Sequence, residues 1–446
     1  MKQTLVVTYI LLGLSAVAYV ALGYATPRTD FIQLLLIFAA CFAAYVYLVN
    51  LRFNIWLGIG AAVLFRALLL FATPALSDDY FRFIWDGRLI AAGVNPYLYL
   101  PSFFIHDAAS VIPGISEALF LQLNSPTYFS VYPPVVQGVF WLSAVLSPDS
   151  IKGSILVIRI LMILAETGSI LLLLRLLRKM GVSDRSVFLY ALNPLVIIEL
   201  TGNLHLEGLM IFFILLSVYL IFYQRLILAG SVFGLAVGVK LLPLLFMPLI
   251  WRRIGIKQFV MFTTATLVTV TLVSWPLITT EVLANILQSI NLYFQRFEFN
   301  ASVYYLFRWL GFRFTGYNQI AMIGPLLSLA TFVVVLALAI FKKFGSIKRL
   351  MGFMAAALTV YLFLATTVHP WYIATLVALT AASHFRYAVV WSGLAILSYT
   401  AYQTDAYTED LTLIALEYCI VSLWLIVEIY LYRQRSKQAN LISRDI

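Results

Sequence analysis

The stretch LVVTYILLGLSAVAYVALGY, residues 5–24, decides how the rest of the chain is understood. Behind Lys2 it has the outline of a secretory leader, but the apolar part of a leader usually ends after about 7–15 residues. This run is longer, and a second one, residues 31–50, follows it after a short turn. The expectation is an uncleaved first helix long enough to cross the roughly 30 Å hydrocarbon core of a bilayer. Of the 446 residues, 63% are hydrophobic, and similar runs recur along the chain, with more apolar surface than one soluble core can hide. The sequence predicts an all-α polytopic membrane protein.

The charges agree with that solvent. A net charge of +10 raises the question of a nucleic-acid partner, but the Lys and Arg fall in short clusters between apolar runs, the pattern that orients spans in a bilayer. No nucleic acid is expected. Cys41 and Cys419 both lie in apolar runs without metal-ligand spacing, which predicts packing in lipid and no disulfide framework. Taking Lys2, Arg52, residues 175–185 (RLLRKMGVSDR), 251–257 (WRRIGIK), 342–349 (KKFGSIKR), His384 with Arg386, and 433–437 (RQRSK) as cytoplasmic tests each span by parity. Spans are expected near residues 5–24, 31–50, 54–75, 153–174, 186–202, 205–223, 257–280, 319–341, 349–368, 371–383, 387–403 and 411–432. Residues 131–147 are then a shallow or re-entrant helix. Residues 226–251, basic at both ends and broken at KLLP, are a kinked hairpin. The total expected is about 11–13 transmembrane helices. They belong to one domain over residues 1–446, with a large first outer loop (76–152) carrying juxtamembrane helices and a second outer loop at 281–318.

That topology gathers the unusual polar groups on one side. The segment SDDYFRFIWDGRLIAAGVNPYLYLP, residues 77–101, brings Asp78, Asp79, Arg82, Asp86 and Arg88; GNLHLEG, 202–208, brings His205 and Glu207; QRFEFN, 295–300, brings Arg296 and Glu298; VHPWY, 368–372, brings His369 and Tyr372. His106 falls on the same side. Ionisable groups near a bilayer are costly, so they tend to face a cavity and mark a site. A helix over about 78–92 is expected, opened by Ser77 and the acids and closed by Gly93 and Asn95-Pro96. In it Asp79, Arg82 and Asp86 share a face, and Asp78 also reaches Arg82. The plain alternative is a capped juxtamembrane helix with a salt-bridge ladder. A carboxylate beside arginine stays ionised and can take a proton, and arginine suits phosphate. His-x-Glu has no third metal ligand nearby, so a substrate hydroxyl is the expected contact, and no metal or other cofactor is expected. Glu298 with Arg296 reads equally as a loop salt bridge, and the HPWY run equally as an interfacial aromatic anchor. Lys240, inside an apolar hairpin, either snorkels to a surface or serves a buried anionic group.

In order, SDDYFRFIWDGR with GVNPY, VYPP (131–134), LNPLVIIELTGNLHLEG (192–208), LAGSVFGLAVGVKLLP (228–243) and HPWY (369–372) resemble the type-C glycosyltransferase superfamily, called GT-C. The match is nearest the bacterial mannosyltransferase branch related to the GPI and phosphatidylinositol-mannoside mannosyltransferases. The resemblance spans residues 77–372. It implies a GT-C-like fold in the cytoplasmic membrane, an active site facing outward, a polyprenyl-phosphate sugar donor, and a lipid or glycan acceptor. It implies a catalytic acid in the first outer loop, here Asp78 or Asp79; the adjacent acids depart from the DxD or DE spelling of some relatives. The expected reaction is an inverting displacement at the anomeric carbon. The rivals from other classes are a transporter or flippase of lipid-linked glycans, and an O-antigen-type polymerase or ligase.

Overall fold

A computed structural model of the protein describes residues 2–106, 112–342, 344–404 and 407–442. Among them the chain is helical throughout, and its one β feature is an isolated parallel bridge between Phe299 and Thr367. Seven helices have the length and composition to cross a membrane, Gln3–Tyr24, Phe31–Asn50, Ile151–Lys179, Ile256–Ser274, Ile320–Phe341, Ile347–Leu364 and Leu411–Arg435; a bent pair over residues 194–222 makes up to eight. Four shorter apolar helices stand among them, Ile55–Leu68, Pro134–Leu146, Leu226–Val239 and Pro370–Thr380. The protein is a multi-pass membrane protein.

Several expected spans are therefore not continuous helices, and each break has a local cause. The span expected at 54–75 ends at Leu68, before Pro74, because a proline lacks the amide proton a helix needs. The hairpin at 226–251 divides where expected: Leu226–Val239 stops, Lys240 is extended, and Pro243 sits in a 3-10 turn that leads into Met247–Ile254. The expected span at 387–403 starts as an α-helix, Tyr387–Leu394, and tightens into 3-10 turns over Ala395–Tyr402. The largest departure is at 186–223. Asn193 caps a turn opened by Pro194, a π-helical stretch Ile197–Gly202 follows, and the chain bends by 113° before Glu207–Phe222.

A bend inside a membrane exposes backbone carbonyls that water cannot satisfy, so protein groups must do so. Arg159, fully buried in Ile151–Lys179, does this. Its guanidinium donates to Thr201 O at 3.0 Å and Gly202 O at 2.9 Å on the π stretch, and to Leu70 O at 3.0 Å and Ala72 O past the end of Ile55–Leu68. One cation thus closes two helix C-termini, where the dipole favours positive charge. Nearby, Arg66 and Glu166 form a fully buried pair at 2.7 Å, with Tyr190 donating to the same carboxylate at 2.5 Å.

Two glycines set how closely the elements approach. A Cβ at Gly87 would lie 2.3 Å from Phe140 O, and one at Gly230 would lie 2.2 Å from Phe262 O. So the helix Asp79–Ala91 crosses Pro134–Leu146 at backbone contact, and Leu226–Val239 crosses Ile256–Ser274 the same way.

Candidate functional site

The helix expected from about 78 to 92 is observed as Asp79–Ala91, and its start and middle use their charge differently. In the middle Asp86 is fully buried. It accepts from Arg82 Nε at 2.8 Å, from Gln137 Nε2 at 3.1 Å, and from Ser130 Oγ. Arg82 spends its other nitrogen on Ser125 O at 3.0 Å and Tyr128 O at 3.1 Å. Arg88 donates to Gly114 O at 2.6 Å, and burial lowers its pKa. These three residues, expected to bind donor or acceptor, lie in the packing that fastens the first outer loop to the helix. The expected approach of Asp78 to Arg82 is not made, because Asp86 and the loop carbonyls occupy the guanidinium.

At the start Asp78 and Asp79 are half-buried. Asp78 holds the N-cap position without a side-chain cap bond, while Ser77 Oγ accepts from Asp79 N at 3.3 Å. Asp78 turns instead to Arg28, in the turn after the first helix. Arg28 lies over the Tyr402 ring, 5.0 Å from its centroid. Asp79 accepts from Asn124 Nδ2 at 2.7 Å. Beside them stands Tyr132, from the VYPP motif, whose ring packs on Phe83 and Phe140. Burial first, and then the charges of Asp79, Asp86 and Glu207, push its hydroxyl well above the usual tyrosine range, with Arg82 opposing. Tyr132 therefore stands between the acid helix and the second cluster.

That second cluster grows from the bend. His205 Nδ1 is 3.0 Å from Glu199 O and 3.2 Å from Glu199 Oε2. The short contact to the carbonyl is the in-line hydrogen bond, since Oε2 has no hydrogen bond of its own. Tyr399 donates to Glu199 Oε1 at 2.7 Å. The His205 ring stacks on Trp371 at 3.5 Å, and the other face of Trp371 stacks on His369 at 4.3 Å. Burial first, then Lys240 and His205, hold His369 well below the usual imidazole range, so it is neutral. Glu207 takes Lys240 Nζ at 2.5 Å, and the ammonium sits 3.7 Å above the Tyr372 ring. Lys240 thus neither snorkels nor waits alone: the tip of the kinked hairpin delivers it to the GNLHLEG and HPWY motifs.

The third cluster joins the fourth through the bridge at Phe299 and Thr367, with Phe299 N donating to Thr366 O at 3.1 Å and Val368 N to Phe299 O at 2.8 Å. Glu298 pairs with Arg308, accepts from Tyr304 at 2.5 Å and from Asn318 at 3.1 Å. Among the described side chains its cation is Arg308; the side chain of Arg296, the cation expected from the sequence, lies outside the described residues, as does that of His106. Asn300 has a left-handed φ of 45°, donates its amide to Glu409 at 2.5 Å, and its side chain faces Glu417 at 3.4 Å. Trp391 Nε1 donates to the same Glu417 at 2.7 Å.

The sequence clusters are thus contiguous, linked from Asp78 through Arg28, Tyr402, Tyr399 and Glu199 to His205, and from there to His369. Arg28, Glu199, Tyr399, Asn124 and Tyr132 were not singled out in the sequence. Two had a signal there: Arg28 is a cation on the side where the expected topology makes positive charge rare, and Glu199 is a carboxylate in an apolar run. Among the described residues no three His, Cys, Asp or Glu come together to hold a metal ion. A larger surface hollow, lined by Ala43, Val46, Tyr47, Asn50 and Leu51, is at the other end of its helix from these groups. Chemically, the arrangement offers two half-buried carboxylates, one in an open ion pair with Arg28, beside a cluster in which Lys240 is held by Glu207 and Tyr372.

Residues 9–254 match the family model described as "Alpha-(1->6)-mannopyranosyltransferase, N-terminal domain". Two similar proteins come from Corynebacterium glutamicum. Alpha-(1->6)-mannopyranosyltransferase B is 27% identical over 153 residues, 34% of this chain and 24% of its own length. Alpha-(1->6)-mannopyranosyltransferase A is 23% identical over 198 residues, 44% of this chain and 38% of its own length. The aligned regions therefore span less than two fifths of either relative.

Proposed function

The chain belongs to the alpha-(1->6)-mannopyranosyltransferase family, and from that premise we propose that it is a membrane mannosyltransferase. In this proposal it takes mannose from a polyprenyl-phosphate donor and passes it to a lipid or glycan acceptor on the outer face of the cytoplasmic membrane. The observation that carries it is the pair of half-buried acids Asp78 and Asp79, the first in a partly exposed ion pair with Arg28 and the second held by Asn124. An acceptor hydroxyl attacks the anomeric carbon and gives its proton to an Asp carboxylate. The bond from that carbon to the phosphate oxygen breaks, its electron pair leaves on the phosphate, and a cation holds that charge. Single displacement inverts the anomeric centre, so an α product requires a β-linked donor. The membrane supplies the reason for a lipid donor, since nucleotide sugars are made in the cytoplasm and the proposed site opens outward. His205 and Glu207 are the proposed contacts for sugar hydroxyls, with Lys240 and Tyr372 beside them; Arg82, Asp86 and Arg88 support the loop that carries the acids. No cofactor is needed for this step.

The test uses purified protein in proteoliposomes with cell-derived lipid and glycan acceptors. Transfer of a hexose from polyprenyl-phosphate mannose, identified by mass spectrometry, is expected, with none from GDP-mannose alone. Efficient use of the nucleotide sugar removes the lipid donor from the proposal. Movement of a lipid-linked glycan without a new glycosidic bond assigns the protein to transport, and joining of diphosphate-linked glycans assigns it to polymerisation or ligation.

A further inference from the structure

We infer that Arg28 is the residue that receives the donor phosphate, and that in the resting protein it is parked on Asp78. This rests on the transferase proposal. Arg28 comes from a turn fixed by its own neighbours: Asp30 caps the second helix at Gln33 N, 3.1 Å, and Gln33 Nε2 ties back to Ala25 O at 2.9 Å and Thr26 Oγ1 at 3.1 Å. The Tyr402 ring supports the guanidinium from below. The turn and the ring hold Arg28 at the boundary whether or not Asp78 accepts from it.

The exchange follows from a difference between cations. Arg82, Arg66 and Arg159 are buried and committed to several oxygens. The Arg28–Asp78 pair is open, with side chains 29% and 37% exposed. An ion pair in that setting is weak, whereas a phosphate offers more charge and two oxygens to a guanidinium fork. While Arg28 is on Asp78, a carboxylate oxygen is occupied by the guanidinium. When the phosphate takes Arg28, that oxygen is released to meet the acceptor hydroxyl. Asp78 then accepts the acceptor's proton as the new oxygen–carbon bond forms, and Arg28 holds the phosphate that leaves with the electron pair. Loading the donor thus frees the carboxylate.

The exchange makes a prediction that a structural clamp does not. In lipid nanodiscs, binding of sugar-free polyprenyl monophosphate is measured for wild type, Asp78→Asn, Arg28→Gln, Arg28→Lys and the double variant Asp78→Asn/Arg28→Gln. Removing the competing carboxylate should tighten phosphate binding by about three- to tenfold in Asp78→Asn. Arg28→Gln should weaken it by about tenfold, with Arg28→Lys recovering part of the loss. The double variant should bind like Arg28→Gln. With donor varied, Arg28→Gln should raise KM more than it lowers kcat. Binding by Asp78→Asn no tighter than wild type, or by Arg28→Gln equal to wild type, overturns the role of Arg28 and leaves the transferase proposal standing. A wild type that binds no monophosphate, yet transfers from another donor, overturns both the role and the donor.

Discussion

Asp86, in the middle of one short helix, and Asp78, at its N-cap, hold their charge in opposite ways. Asp86 is sealed: three donors from the helix, the loop and the following helix converge on it, and its arginine is in turn held by two carbonyls. Asp78 has one charged partner, carried by a distant turn and open to water. A sealed carboxylate cannot exchange protons or partners without exposing buried charge, so its use is to hold the loop. An open one can, which leaves it available for the chemistry proposed above. The same residue type in the same motif is divided by its surroundings into a fastener and a candidate base.

The comparison can be broken most directly at Asp78. Asparagine caps helices about as well as aspartate and keeps the shape, but it cannot take a proton, and loss of a general base costs about 10²–10⁴ in rate. Asp78→Asn is expected to insert and fold like wild type while turnover falls by that factor. Asp79→Asn, which keeps a hydrogen bond available to Asn124, is expected to fall less. Near-normal turnover in both single variants and in the double variant would return the outer end of the helix to a structural role.

Asp86 should answer in stability. Asp86→Ala leaves Arg82 buried with an unpaired charge, at a cost of about 3–5 kcal/mol. The expected outcome is a lower melting temperature in detergent and less folded protein, with Asp86→Asn milder because it still accepts a hydrogen bond. Folded Asp86→Asn should keep most of its turnover per molecule. A stable Asp86→Asn that has lost turnover as Asp78→Asn does would erase the distinction between the two acids.

The smallest effect is expected from exposed positions that report sidedness. Ser77, Asn203 and Val368 lie at the proposed outer boundary but are buried, so they are poor reporters; Glu117 and Ser183 are exposed. In a background without Cys41 and Cys419, Glu117→Cys should react with an impermeant thiol reagent from outside and Ser183→Cys only after permeabilisation, with turnover near wild type in both. Labelling of Ser183→Cys from outside would invert the topology and put the acid helix on the cytoplasmic face.

Much of this was legible along the chain. The basic clusters and the apolar runs predicted most of the helices, and KLLP marked the break that delivers Lys240. The acid helix was expected within a residue or two of its bounds. A turn between the spans 186–202 and 205–223 was expected, but not that the first of them would be broken at Pro194 and run through a π stretch, because an apolar run is equally compatible with a straight helix until Pro194, the π stretch and Arg159 are seen together. Arg28 escaped notice because it lies before the motifs, in a turn with no pattern of its own. Arg308 was not connected with Glu298 in the sequence, because only the helix Val303–Thr315 brings it back to that carboxylate.

The sequence by itself determined the solvent and most of the helices, because hydropathy and turn chemistry are sums over neighbouring residues. Only the tertiary structure decided which charge answers which. Arg28 and Asp78 are 50 positions apart, Glu207 and Lys240 33, and Arg66 and Glu166 100. An ion pair forms within a few ångströms and is worth little or much according to how far water is excluded. Neither quantity is carried by a neighbouring residue; both are set when the helices pack.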